Sequence, residues 1–350
     1  MSRPAPGRHP FRVPLVIGHR GAAGHRPEHT LASYELAARM GADCIEPDLV
    51  STSDGVLIAR HENEISQTTD VAVRPEFADR RRTTVVDGVE RTGWFTEDFT
   101  LAEMRTLRAV ERLPEIRQGN TAFDGRFDVP TLSEILDLRA RVSRQLRREV
   151  GVYIETKHPT HFAGLGLGLE EPLARALRMR GLDHAAAPVF LQSFELTSLH
   201  ILALEHAVQV PLVFLVGEQM PYDLMVAGDP RSARDLITRA GLERISPHLV
   251  GIGPAKHQVI APSTDGMPAR PTSLVRDAHA TGLVVHPYTF RAENAFLPVE
   301  LRRGSDPGSI GVLTEEIAGH LDLGVDGFFT DQPDIGVRTR DAFLARQRRS

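Results

Sequence analysis

Eight short apolar segments, several of them entered from an amphipathic stretch through a single glycine, constrain this chain more than any other feature. Gly41 precedes the segment 44–49, Gly181 precedes 189–192, Gly241 precedes 249–252, Gly282 precedes 283–286 and Gly324 precedes 327–330. A glycine just past a helix takes the left-handed conformation that ends it at little cost. With 15–19, 152–155 and 212–215 these make eight candidate buried strands alternating with helices, the number that a (β/α)8 TIM barrel needs. A doubly wound open sheet is the other architecture compatible with this pattern, because local sequence does not show closure. Thr100 with Glu103 and Thr131 with Glu134 read as capping boxes, the second opening a helix to about Arg147. Between the second strand and that helix lie residues 52–130, polar and marked by the turns Asp54-Gly55, Asp87-Gly88 and Asp124-Gly125. We read them as an insertion, with a strand at 56–60, within a single domain spanning 1–350.

Composition removes several classes of function. A net charge of −5 on 350 residues gives no general affinity for nucleic acid or anionic membranes. The densest basic cluster, Arg80-Arg81-Arg82, reads as a solvated loop. The lone Cys44 excludes an intrachain disulfide and reads as a small core residue. Residues 1–10 carry no apolar signal core, and nowhere do about eighteen apolar residues run together, so a cytoplasmic location without a membrane span is expected. The oligomeric state is left open.

The strand ends carry the chemistry. Glu46 and Asp48 stand two positions apart on one strand, so both carboxylates leave the same face from Cα atoms roughly 7 Å apart. Two buried like charges at that spacing call for a proton or a metal ion. Glu155 and Lys157 repeat the spacing with opposite signs. Three carboxylates and a lysine suit a divalent cation beside an anionic substrate. His19, Arg20, Gln192, His286, Tyr288 and Asp331 also fall at strand ends, where barrels of this kind keep their reacting groups. In the first loop Gly21, Gly24 and a helix capped by Thr30 offer backbone N–H groups to an anion, with Arg20 as a bidentate phosphate clamp. His19 and His61 supply two imidazoles, one to take a proton from an attacking oxygen and one to protonate a leaving alkoxide.

The segments Ile17-Gly18-His19-Arg20-Gly21-Ala22, Pro27-Glu28-His29-Thr30, Glu46-Pro47-Asp48, Asp54 to His61, Glu155-Thr156-Lys157 and His286-Pro287-Tyr288-Thr289 also form a set. In that set the chain resembles the glycerophosphodiester phosphodiesterases, most closely the branch that includes bacterial periplasmic enzymes. The resemblance covers most of the chain and implies a barrel with an insertion after the second strand. It implies one divalent cation, Ca2+ or Mg2+, on Glu46, Asp48 and Glu155, and catalytic His19 and His61. The expected reaction is hydrolysis of a small-molecule glycerophosphodiester to glycerol 3-phosphate and an alcohol. Arg20, Lys157 and Gln192 would serve the phosphate, while Phe194, Tyr288 and Phe290 would shape the alcohol side. Glu62 stands where members of the family commonly have Asp, which bears on how His61 is oriented. A phospholipase D-like action on lysophospholipids at the same site, and a non-catalytic protein binding metal or phosphodiester, are the competing readings.

Overall fold

The computed structural model describes residues 14–263 and 269–349, so the reading of residues 1–10 lies outside them. The strands are β1 (Leu15–His19), β2 (Cys44–Glu46), β3 (Asp48–Ser51), β4 (Leu57–Ala59), β5 (Arg82–Val86), β6 (Val89–Gly93) and β7 (Gly151–Thr156). They continue with β8 (Val189–Ser193), β9 (Leu212–Val216), β10 (Gly251–Pro254), β11 (Ile260–Ala261), β12 (Arg270–Pro271), β13 (Val284–Val285) and β14 (Gly327–Thr330). Eight strands run parallel in the order β13-β10-β9-β8-β7-β2-β1-β14. Runs such as LVIGH, VFLQS and LVFLV are buried along their whole length, as befits parallel strands covered by helices outside and packed side chains inside.

The seam between β13 and β14 decides between barrel and open sheet. It is crossed by backbone bonds from Asp326 N to Val285 O at 3.0 Å, Phe329 N to Pro287 O at 3.0 Å and Phe290 N to Phe329 O at 2.8 Å. The sheet therefore returns on itself as a (β/α)8 barrel, and the doubly wound alternative falls. β13 is shorter than the expected 283–286, although bonds to β10 continue beyond it from His286 N to Ile252 O at 2.9 Å and from Tyr288 N to Pro254 O at 3.0 Å.

Three further expectations are corrected. The second strand is two pieces, β2 and β3, interrupted at Pro47; the chain pairs with β1 before the break and with β4 after it. Gly41, Gly181, Gly282 and Gly324 have positive φ beyond their helices, but Gly241 lies inside the helix Arg239–Ile245. There a Cβ would sit 2.1 Å from the carbonyl oxygen of Asp235, so the glycine serves close packing rather than helix termination. Arg80 and Arg82 are tethers rather than free loop residues. Arg80 pairs with Glu103, and Arg82 pairs with Asp98 at 2.6 Å. Both capping boxes form, at Thr100 and Thr131, and the helix from the second spans Leu132–Leu146.

Alternation along each strand sorts the side chains into two layers. Val16, Ile45, Val152, Ile154, Leu191, Phe214 and Phe328 belong to the large cluster against the helices. Leu15, Ile17, Cys44, Tyr153, Phe190, Val213 and Phe329 form a separate cluster that plugs the interior. The Tyr153 ring stacks on Phe190 at 4.6 Å and meets Phe329 edge-on at 5.0 Å, and its hydroxyl reaches His286 Nδ1 at 2.9 Å. His286 is thus part of the plug. Replacing Phe190 by Ala should remove about 3–5 kcal/mol of stability, read as a lower denaturant midpoint at unchanged slope.

Candidate active site

Continuing each inward-facing row past the plug brings in ionisable groups at the C-terminal ends of the strands. Along β7 Tyr153 is followed by Glu155, on β1 Ile17 by His19, and on β8 Phe190 by Gln192. Register aligns them, pairing His19 with Glu46, Asp48 with Glu155 and Glu155 with Gln192. These residues line a cavity of about 450 Å3 together with Arg20, His61, Lys157, Phe194 and Tyr288. The ten side chains expected to act as catalytic, metal-binding or substrate-binding groups therefore face one space. Phe290 does not; it is buried in the core, where it packs on His320 and Phe328.

Glu46, Asp48 and Glu155 each place a carboxylate oxygen within 4.8 Å of the others, and all three are buried. Burial and the other two carboxylates push Glu46 well above its ordinary range. Burial likewise raises Glu155 to about 8 against the pull of Lys157, whose ammonium lies 3.0 Å away. For Asp48 the burial penalty is outweighed by Lys157, His29 and Arg20, which hold it well below the usual carboxylate range. Asp48 Oδ1 is buried with no hydrogen-bond partner, and Glu155 Oε1 has only its ion-pair contact with Lys157. An all-oxygen cluster with oxygens left over fits a hard divalent cation.

Each imidazole rests on a carboxylate. His19 Nδ1 lies 2.5 Å from Asp331 Oδ1, and His61 Nδ1 lies 3.1 Å from Glu62 Oε1. Burial and Arg20 lower His19 to about 4; burial, Arg20 and Lys157 lower His61 well below its ordinary value. Both rings are then neutral at pH 7, and a neutral ring donating from Nδ1 keeps its lone pair on Nε2. Glu62, the departure from the family pattern, still holds its histidine in this way.

The first loop is held by strained but well-anchored backbone. Arg20 and His29 lie in the left-handed region at φ 54. Gly21, at φ 93, leaves no room for a side chain, since a Cβ would fall 2.5 Å from Ser33. Arg20 N donates to Glu46 Oε2 at 2.7 Å. Its guanidinium is only partly available as a clamp, because Nη1 is shared between both Glu28 oxygens at 3.0 Å. Gln192 acts on the carboxylate layer, donating from Nε2 to Glu46 Oε1 at 3.1 Å. Phe194 and Tyr288 meet edge-on at 5.7 Å on the cavity wall.

Several supporting residues escape sequence reasoning. His29 Nε2 holds Asp48 Oδ2 at 2.9 Å while Nδ1 meets the Tyr34 hydroxyl at 2.7 Å. Asp331 receives Arg117 Nη2 at 2.5 Å and Arg291 Nε at 2.8 Å as well as His19. Asp331 is legible as a strand-end acid; its arginine partners, 214 and 40 positions away, are not.

The profile of the glycerophosphoryl diester phosphodiesterase family matches residues 19–335. The chain belongs to this family. Its relatives include glycerophosphodiester phosphodiesterase GDPD6 of Arabidopsis thaliana, 35% identical over 346 residues, covering 94% of this chain and 88% of the relative. The glycerophosphodiester phosphodiesterase of Bacillus subtilis is 31% identical over 343 residues, covering 95% and 88%. A likeness in fold extends to a phosphodiesterase of Oleispira antarctica, solved in complex with the product sn-glycerol-3-phosphate. It superposes with a TM-score of 0.58 at 19% identity, covering 94% of this chain and 97% of that one.

Asp331 gives a sharp test of the buried charge network. Asp331→Ala should cost about 3–5 kcal/mol in a urea titration, because Arg117 and Arg291 lose a buried counter-charge. A loss below about 1 kcal/mol would mean that the arginines find solvent instead.

Proposed function

We propose that this chain hydrolyses glycerophosphodiesters to glycerol 3-phosphate and an alcohol, with one divalent cation, Ca2+ or Mg2+, held by Glu46, Asp48 and Glu155. The observation that carries this reading is the meeting, in one cavity of a member of this family, of that carboxylate cluster with two carboxylate-anchored imidazoles. When bound, the cation would act as a Lewis acid toward phosphate oxygen and offset the charge of the substrate.

The chain's own residues supply the rest. His19 and His61 divide the proton work: one accepts the proton of the attacking oxygen as it bonds to phosphorus, and the other delivers a proton to the alkoxide as its P–O bond breaks. Asp331 and Glu62 hold the rings and stabilise whichever imidazolium forms. Lys157 stays charged because Glu155 and Asp48 outweigh its burial, and with Arg20 it answers the negative charge on the phosphoryl oxygens. Phe194 and Tyr288 would bound the space taken by the alcohol. No helix among the described residues is long and apolar enough to cross a membrane, in keeping with a small, freely diffusing substrate.

The test is a panel of glycerophosphodiesters read by released glycerol 3-phosphate. Turnover should vanish with chelator and return with Ca2+ or Mg2+; unaltered turnover in chelator would overturn the metal-dependent reading. His19→Ala should lower kcat on the order of 10²- to 10⁴-fold. Near-normal turnover by that variant would remove His19 from the chemistry.

A further inference from the structure

Glu62 does not hold His61 unaided. Its second oxygen, Oε2, lies 3.1 Å from Nε2 of His158, and Nδ1 of that ring lies 2.5 Å from Asp87 Oδ2. The result is an unbroken row, His61, Glu62, His158, Asp87, leading from the cavity wall to the turn of the β5–β6 hairpin. Arg91 Nη2 adds a looser contact to Glu62 Oε2 at 3.4 Å. His158 follows directly on the Glu155-Thr156-Lys157 segment, so one strand end supplies both cluster groups and this outer support.

The chemistry of the row fixes its protons. Carboxylates only accept when ionised, and both nitrogens of His158 face carboxylates, so the ring carries hydrogens on both and a positive charge. The two hydrogen bonds outweigh burial and raise His158 to about 9. A cation at that position keeps Glu62 ionised and fixes the direction of its carboxylate, whose other oxygen receives Nδ1–H of His61. His158 sits at φ 48, ahead of Pro159, a conformation few residues adopt there.

We propose that His158, clamped between Asp87 and Glu62, is a positioning residue that orients Glu62 and so holds His61 with Nε2 toward the substrate. The proposal rests on the hydrolase reading in one respect, that His61 carries a proton in turnover. It extends the part of segment 52–130 in the reaction from His61 and Glu62 to the β5–β6 hairpin, since Asp87 belongs to its turn. The bland alternative is that the Asp87 to His158 pair merely pins the hairpin to the barrel.

Two variants separate these. Asp87 and Gly88 have φ 49 and 77 in a two-residue hairpin turn, where Asn-Gly is as well suited as Asp-Gly, so Asp87→Asn preserves the turn. Asn also tolerates the backbone at 158, so His158→Asn removes the bridge with little strain. Both variants should lower kcat about 10-fold or more while KM stays within about 2-fold. Either change combined with Glu62→Gln should cost no more than Glu62→Gln alone, because the residues act through one another. Unchanged kcat in the folded variants, or losses that multiply, would overturn the proposal. Nitrogen-15 NMR of the histidine rings tests it without turnover. The unaltered protein should show His158 protonated on both nitrogens and His61 on Nδ1 only, with that preference at His61 lost in His158→Asn. A singly protonated His158, or a His61 ring indifferent to the change, would sink it. Lack of glycerol 3-phosphate release by the unaltered protein would instead strike the hydrolase reading, and the NMR result would still judge the relay.

Discussion

Three carboxylates buried in one layer at the top of a barrel set the terms for everything around them. Glu46, Asp48 and Glu155 cannot all be ionised at this spacing and burial without compensation. The compensation is visible residue by residue. Lys157 lies on Glu155, His29 and Arg20 lie on Asp48, and the Arg20 backbone with the Gln192 amide lies on Glu46. Arg20 needs its own counter-charge and takes it from Glu28, which in turn is shared with Arg112 at 2.8 Å. Most of the polar architecture of the first loop thus follows from the decision to bury the acids.

The same logic governs the imidazoles. Each ring is fixed through Nδ1 by a carboxylate that is itself fixed by cations, Asp331 by Arg117 and Arg291, and Glu62 by His158 and Arg91. Lowered basicity is a consequence of burial beside Arg20 for both rings, and beside Lys157 as well for His61. An anionic ester entering the cavity reverses part of that field and makes an imidazolium affordable on one of the two rings. Charge balance in the site therefore belongs to the complex and not to the protein alone.

Much of this was legible in the chain because strands and their ends are local. Segments such as 212–215 are continuous apolar runs that can only be buried, and Glu46, Asp48, Glu155 and Gln192 stand where such runs end. Spacing of two put Glu46 with Asp48 on one side, and Pro47 altered the ladder without altering that side. Local reading failed where tertiary packing overruled it. Gly241 has the position of a helix stop but is needed for contact with Asp235 and Leu236. Phe290 stands two residues from Tyr288 and still pairs with the β14 end, yet its ring packs on Phe328 in the core instead of facing the cavity. Arg117, Arg291 and His158 carry no local signal, because what defines each is a partner 40 or more positions along the chain.

Arg117 shows how far that dependence reaches. It lies in the segment 52–130, yet its guanidinium joins the Ala23 carbonyl at 3.0 Å, Glu293 Oε1 at 2.6 Å and Asp331 Oδ2 at 2.5 Å. Both acids follow Arg117 by more than a hundred positions, so its buried ion pairs form only when distant parts of the chain are in place. One side chain thus ties the segment ahead of β7 to residues on either side of β14.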